Sequence, residues 1–300
     1  MATATDMKTA QVESKALFLR GLHSVSKPLY QRLCTQGTMS TKTMETPIAG
    51  MIGPLREWTG PRQVENLQED AYSITAKKFE KTVGVPRDAF DDNTHGTYIA
   101  QLETFGQQVG AWPDQQVAKK LERGETDLCF DGKAFFASDH PVERGNAAAG
   151  TFSNVSGSGQ PAWYLFDLSK GVKPLLWMLR NAPEFVQKWN PDDDNVFWQD
   201  NYISGVRARG VADFGFPQFA YKCKAALDAT NYEAAVESMM ALTNGAGENL
   251  GAYPTLLVVP TVLKGDAQRL FEKQFQTGGE NNIFYKDIEW AVWQRLKNVA

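Results

Sequence analysis

The sequence predicts an α+β protein. One long amphipathic helix over residues 94–123, a set of short apolar runs of strand character after residue 162, and an extended polar stretch around a Trp-Gly-Pro tip near residue 60 carry that reading. Each element follows from its own residues.

Residues 1–13 are polar and are expected to be loosely ordered. Leu17, Phe18, Leu22, Val25 and Leu29 then mark a short amphipathic helix ending near Pro28 or Tyr30. Thr35 to Gly53 holds Thr, Ser, Gly and Pro with few large apolar groups, which reads as an extended arm outside the core. Pro54 to Arg62 approaches a tip at Trp58, Thr59, Gly60 and Pro61; Gln63 to Asp70 leads away, and Tyr72, Ile74 and Ala76 alternate with polar residues as in a strand. Together these predict a long hairpin. A lone hairpin is marginal in water, so it needs its own fold or a neighbouring chain to lie on.

Lys78 to Pro86 reads as a strand and Asp91-Asp92-Asn93 as a turn. Thr94 is the expected N-cap of the long helix. Tyr98, Leu102, Phe105, Val109, Trp112 and Gln116 recur at alternating steps of four and three, an apolar stripe except for its last member. Arg123 and Gly124 supply the stop. Unbroken, the helix would be roughly 45 Å long, with Pro113 kinking it near its middle. It reads as a spine with smaller units packed around it.

Beyond an Asp131-Gly132 turn, residues 144–161 are rich in Gly, Ala, Ser and Asn and predict a flexible internal boundary. Trp163–Phe166, Leu175–Leu179, Val196–Trp198, Ile203–Val206, Phe214–Cys223 and Thr255–Pro260 read as strands. Tyr232–Leu242, capped by Asn231 or Thr230, and the stretch through Leu263, Ala267, Leu270 and Phe271 read as helices, and Ile283–Leu296 is strand-like again.

Bulk properties narrow the function. The 300 residues carry 35 acidic and 31 basic side chains, a formal net charge of −4, which argues against a sequence-independent DNA binder. No apolar run reaches the roughly 18 residues of a membrane span, and the N-terminus shows no signal-peptide pattern. Cys34, Cys129 and Cys223 are odd in number and far apart, as expected of free buried thiols in a reducing cytoplasm.

Candidate chemistry is thin. Asp131, Asp139 and His140 could bind a divalent ion or serve a metal-dependent hydrolase, but their spacing fits no metal motif, and the Asp-Gly turn and His-Pro end have backbone explanations. Asp192-Asp193-Asp194 lacks the Gly and distal Glu of a calcium loop and reads as a solvated turn. Asn244-Gly245-Ala246-Gly247-Glu248 has no following Gly-Lys-Ser/Thr and is not a phosphate loop. No nucleophile elbow or Cys-His-Asn set is present. The expectation is no catalytic residue, no cofactor and no bound metal. Arg207 and Arg209 alternate on a strand; they could meet a carboxylate on another subunit or stay solvated. Trp58 at the tip of a polar arm marks a contact surface, unless it folds back onto its own strand.

A collinear set of segments adds a family reading. Leu55-Arg56-Glu57-Trp58-Thr59-Gly60-Pro61-Arg62, Ala71-Tyr72-Ser73-Ile74, Phe79 to Asp88, Phe90-Asp91-Asp92-Asn93, Asp131 to Phe136, His140-Pro141-Val142, Val172-Lys173-Pro174, Asp192-Asp193-Asp194 and Val258-Val259-Pro260 occur in this order. With them, the chain resembles the gpT-like major head proteins of Mu-like bacteriophages, which have the HK97-type capsid fold. The resemblance covers about Leu17 to Gln274.

It implies an N-terminal arm (1–50), an E-loop hairpin (51–92), a peripheral domain with the spine helix (93–161), an axial domain with a mixed sheet (162–260), and a C-terminal segment (261–300) that closes the axial domain and returns to the peripheral one. It implies a non-enzymatic shell subunit of the virion that forms hexamers and pentamers in an icosahedral head in the host bacterial cytoplasm. The E-loop tip, Trp58, Thr59, Gly60, Pro61 and Arg62, would contact a neighbouring subunit. A separate scaffold linked to a protease, a portal and a decoration protein are the implied partners, with double-stranded DNA touched weakly and no membrane contact. An encapsulin-like compartment shell is the alternative within the same fold.

Overall fold

The computed structural model describes residues 4–26, 28–49, 69–92, 94–143, 147–245, 247–275 and 279–298. In chain order these form α1 (Ala4–His23), α2 (Tyr30–Leu33), β1 (Cys34–Thr38), β2 (Thr43–Ala49), β3 (Glu69–Thr75), β4 (Lys77–Pro86), α3 (Asp88–Asp91), α4 (His95–Gly110) and α5 (Trp112–Glu122). Then come β5 (His140–Pro141), β6 (Thr151–Phe152), β7 (Val155–Ser156), β8 (Trp163–Phe166), β9 (Leu175–Lys188), α6 (Asp194–Gln199) and β10 (Asn201–Phe214). The chain closes with β11 (Ala220–Cys223), α7 (Ala229–Met240), β12 (Leu256–Val259), α8 (Lys264–Phe271) and β13 (Glu289–Val292). The α+β reading is correct.

One sheet has the order β1-β9-β10-β4, and a second, mixed sheet the order β13-β12-β8-β11-β7. All four residues of β8, β11 and β12 are buried, so these strands are covered on both faces, as their continuous apolar runs require. In β10 the even positions Tyr202, Ser204, Val206 and Ala208 are buried while Arg207 is exposed. This alternation puts one face against α4 and α5 and turns the other outward. Pro183 lies where β9 slips register against β10: Glu184 opposes Arg207 and Asn181 opposes Arg209, so residues 182 and 183 have no partner. A residue without an N–H fits there because the ladder asks nothing of it.

The spine is two helices. α4 stops at Gly110 and α5 starts at Trp112, with Ala111 between them and Pro113 in the first turn of α5. Proline is placed where a helix has no use for its N–H, so it starts a helix here and does not kink one. The single rod becomes segments of about 24 and 17 Å at 1.5 Å per residue. The stripe divides accordingly. Leu102 and Phe105, with Tyr98 and Val109 beside them, pack against α1, while Trp112 joins another core, edge-on to Trp177 and Phe79 at 5.0 Å each. Thr94 does not cap α4; its hydroxyl donates to the Ala89 carbonyl. The stop at Gly124 holds, and a Cβ there would lie 2.5 Å from the Phe136 ring.

The N-terminal expectation needs the largest correction. Of the residues expected to be loose, 4–13 belong to the 20-residue helix α1. Propensity alone would not hold it; packing on α4 does. Phe18 is buried between Phe105 (5.5 Å) and Phe185 (stacked at 4.2 Å). The two backbones meet at glycines: a Cβ on Gly21 would sit 2.0 Å from the Glu103 carbonyl oxygen, and one on Gly106 2.1 Å from that of Phe18. Of the Thr35–Gly53 stretch, the described residues 35–49 are extended as expected but not outside the core. β1 pairs in parallel with β9, and Cys34 and Met39 are buried.

The hairpin also starts earlier than residue 54. β2 pairs antiparallel with β3, from Thr43 opposite Thr75 to Ala49 opposite Glu69. Its outgoing arm is Thr43–Ala49, so a boundary at residues 50/51 cuts through the hairpin. The tip residues Trp58, Thr59, Gly60, Pro61 and Arg62 lie outside the described residues.

Smaller corrections have local causes. Val196–Trp198 is the helix α6, not a strand; three aspartates lead into its N-terminus, where negative charge favours helix. α7 is capped by Asp228, which accepts from the Asn231 N–H at 2.9 Å. The 144–161 loop is built into the fold in its second half: β6 pairs with β5, β7 pairs with β11, and the buried Asn154 side chain bonds Ala137, Phe135 and Pro217. Phe214–Cys223 is not one strand; a 3-10 turn at Pro217–Phe219 separates β10 from β11. Of Ile283–Leu296, Glu289–Val292 is strand, parallel to β12.

Candidate assembly sites

The hairpin is anchored at its base. Ile74 is fully buried with Met39, Leu176, Met178 and Val211. The Tyr72 hydroxyl donates to Asp213 Oδ1 at 2.9 Å, and burial followed by the Asp213 charge pushes its pKa up. The ladder is thus fixed to the outer face of the first sheet at the Thr75 end.

A second node ties three parts of the chain together. Asp114, in the first turn of α5, is 7% exposed. Its Oδ1 accepts from the Tyr30 N–H at 3.0 Å; its Oδ2 accepts from Trp293 Nε1 at 2.8 Å and from Arg295 Nε at 3.0 Å. The C-terminal tail therefore ends against α5, and the Lys297 N–H also donates to Glu122 Oε1. Nothing in the sequence pattern singled out Asp114. Its one signal is an acidic residue directly after the Pro that opens a helix.

The Asp131, Asp139 and His140 set comes together only in part. Asp131 Oδ2 meets His140 Nδ1 at 2.6 Å, but Asp139 is exposed and pairs with Lys133. Cys129, which the sequence did not nominate, takes its place by donating to Asp131 Oδ1 at 2.9 Å. The ligand atoms of Cys129, Asp131 and His140 all lie within 4.8 Å, a set that could hold a borderline-soft cation such as zinc. Here they form a hydrogen-bonded chain. Asp131 Oδ1 also accepts from the Lys133 N–H, and His140 Nε2 lies 3.2 Å from the Phe135 carbonyl oxygen. Burial raises the Cys129 thiol well above its ordinary value, which removes it as a nucleophile. A cleft of about 470 Å³ at the α4–α5 break is lined by Tyr30, Trp112, Trp177, Leu179 and other side chains, with no carboxylate, His, Cys, Lys or Arg among them. It offers no acid–base pair.

The Asp131 carboxyl supports a pH prediction. Burial pushes its pKa up, but the hydrogen bonds from His140, Cys129 and the Lys133 N–H outweigh burial and hold it below the usual carboxylate range. The stability it contributes is fully present above its unfolded value near 4 and is lost as pH falls through the lower folded value. Urea melts of wild type and Asp131→Asn should differ most at pH 7 and converge below about pH 4. A gap that is constant from pH 7 to pH 2 would contradict this.

Arg207 and Arg209 both project from the outward face of β10, Arg207 exposed and Arg209 half-buried. At the far end of the β9–β10 ribbon, α6 presents Phe197 and Trp198, 76% and 77% exposed, edge-to-face at 4.9 Å. The sequence reading placed these rings in a strand and missed their exposure. No described helix is long and apolar enough to cross a membrane.

The described fold is thus a sheet braced by a two-part helix, a second mixed sheet and a separate two-stranded ribbon. The fold superposes on the chain in the procapsid of bacteriophage JBD30 with a TM-score of 0.82 and 31% identity, covering 98% of this chain and 100% of that one. It also matches the JBD30 capsid chain with a TM-score of 0.80 at 23% identity, over 92% and 93%. The family model described as Mu-like prophage major head subunit gpT matches residues 7–296, and the chain belongs to that family. It is 32% identical to the major capsid protein of Escherichia phage Mu, over 94% of both chains. It is also 32% identical to the Mu-like prophage FluMu major head subunit of Haemophilus influenzae, over 82% of both.

The fold is therefore the HK97 type, and the chain is a major capsid protein of a tailed phage, a structural subunit and not an enzyme. The family decides against both the hydrolase and the encapsulin-like alternatives.

Proposed function

We propose that this subunit assembles through hexamers and pentamers into the closed icosahedral head of a tailed phage around double-stranded DNA. Subunits meet head-to-tail around the axes, and rotation closes each ring. The N-terminal arm, E-loop, peripheral and axial parts take the roles set out above, with the E-loop extended backwards to Thr43. The tip residues Trp58 to Arg62 lie on a neighbouring copy, and Arg207 and Arg209 make charge contacts between copies.

The observation that supports this best is the Thr43–Ala49/Glu69–Thr75 ladder, a two-stranded ribbon belonging to neither main sheet. Such a ribbon gains most of its stability by lying on another surface. A separate scaffold with its protease, a portal, and assembly in the host cytoplasm complete the reading. A JBD30 capsid chain that this one resembles comes from a particle described as decorated with minor capsid protein trimers, which supports a decoration partner here too. The net charge of −4 suits a wall that holds packaged DNA weakly.

Trp58→Ala tests the tip. The unassembled subunit should melt as wild type does, while assembly weakens by about 2 kcal/mol per contact, the scale of an aromatic hot spot. Heads forming at the wild-type threshold would remove the tip from the interface.

A further inference from the structure

The chain treats the two edges of the first sheet differently. β4 closes one side with Lys77, Lys78, Glu80 and Lys81 exposed, and it ends at Pro86. Charged side chains and a proline protect an edge against a further strand. β1, on the other side, reads Cys34-Thr35-Gln36-Gly37-Thr38, with neither a charge nor a proline. Among the described residues it pairs with β9 alone. The Met39 N–H donates to the Leu179 carbonyl, so Thr35, Gly37 and Met39 direct their backbone groups at β9. Backbone direction alternates along a strand, and Gln36 and Thr38 therefore direct theirs away. Both residues are exposed. Their N–H and C=O groups form a short, open strand edge.

The cleft of about 470 Å³ at the α4–α5 break lies beside that edge. Gln36, Gly37 and Thr38 line one side of it, and Leu22, Tyr30, Val109 and Leu179, all half-buried, line the rest with their neighbours. An uncharged, largely apolar recess next to an open strand edge is built for an extended peptide. The peptide backbone pairs with the edge, and one aromatic or aliphatic side chain fills the recess.

We propose that this edge and cleft receive the hairpin tip of a second copy of this chain, with the Trp58 ring in the cleft and the adjoining backbone along Gln36 to Thr38. The proposal rests on the reading of the tip as a contact between copies and deepens it by naming the surface that receives it. Residues 50–68 join the two strands of the ribbon, and Trp58-Thr59-Gly60-Pro61 is the uncharged aromatic stretch at their middle. Its chemistry matches the cleft, which holds no charged side chain. The donor is a different copy because the hairpin base sits on the other face of the sheet. Ile74 packs with Leu176 and Met178 of β9, whereas the alternate residues Trp177 and Leu179 line the cleft. A tip leaving one face would have to turn back around the β1 edge to fill its own cleft.

The test places photoreactive p-benzoylphenylalanine at Thr59, beside the ring in question, in full-length protein assembled from a mixture of isotope-labelled and unlabelled chains. Irradiation and peptide mass spectrometry should join position 59 to residues 36–38, 109–113 or 177–179, with labelled peptide linked to unlabelled. Links between copies to any other surface overturn this proposal and leave the tip a contact between copies. Links found only within one chain overturn both readings. If wild type does not assemble at all, the shell reading falls with them. Two variants check the site without the photoreactive group, by sedimentation velocity across a concentration series. Val109→Phe fills the cleft and should raise the concentration needed for assembly about tenfold or more, with the melt of the unassembled subunit unchanged. Gln36→Pro removes an outward N–H and leaves the β9 ladder intact, and should raise that concentration about threefold. Assembly of both variants at the wild-type concentration overturns the proposal.

Discussion

Asp114→Ala is expected to lower the unfolding free energy of the isolated subunit by about 3–5 kcal/mol, the cost of removing one partner from a buried charged network. The carboxylate satisfies three donors from two places: the Tyr30 N–H before β1, and the Trp293 indole and Arg295 guanidinium of the C-terminal tail. Deleting it strands the Trp293 indole above all, which is 3% exposed, so water cannot readily replace its lost acceptor. The loss should be local first. Hydrogen exchange should show the 289–298 tail opening before the β8–β12 core, because the tail loses its end anchor while β12 keeps its pairing to β8. Asp114→Asn keeps the shape and one acceptor, and should cost clearly less. Equal melts for wild type and Asp114→Ala would mean the tail is held elsewhere.

Gly106→Leu should be at least as damaging, at or above the roughly 3 kcal/mol upper range of overpacking. The contact it breaks is backbone to backbone. A Cβ at Gly106 would fall 2.1 Å from the Phe18 carbonyl oxygen and 2.8 Å from the Leu22 nitrogen. Neither can rotate away as a side chain would. The helices must separate, and Phe18 then loses its place between Phe105 and Phe185. Gly96, on the same helix, has nothing within 4 Å of its Cβ position and gives the control. Gly96→Ala should be neutral or slightly stabilising, as a helix position that loses glycine. If circular dichroism melts of Gly106→Leu and Gly96→Ala coincide, α1 is not packed on α4 as described.

These two sites also show what the sequence could and could not tell. Continuous apolar runs such as Trp163–Phe166 and Leu256–Val259 were legible as buried strands because their pattern depends only on being covered. The stripe from Tyr98 to Val109 was legible for the same reason. The ordering of residues 4–13 was not, because it comes from Gly106 and Gly21 on opposite sides of a long-range contact, and neither glycine carries a signal alone. Pro113 was seen, but its effect was misread: a proline starts a helix as readily as it bends one, and only the position of Ala111 decides. Phe197 and Trp198 look like core to any hydropathy pattern, yet α6 turns them to solvent at the ribbon's end. Among the chemical candidates, Asp131 with His140 was legible, while Cys129 in place of Asp139 depended on how the 128–141 segment folds back. Asp114 had no pattern to betray it, since its partners lie 84, 179 and 181 residues away.

Purified full-length protein, concentrated and imaged by electron microscopy, tests the shell account most directly. Closed particles of uniform diameter, built from five- and six-fold rings, are the expected result. A monodisperse monomer that forms no particle at any concentration, with the 43–75 hairpin protected against its own body, would contradict it.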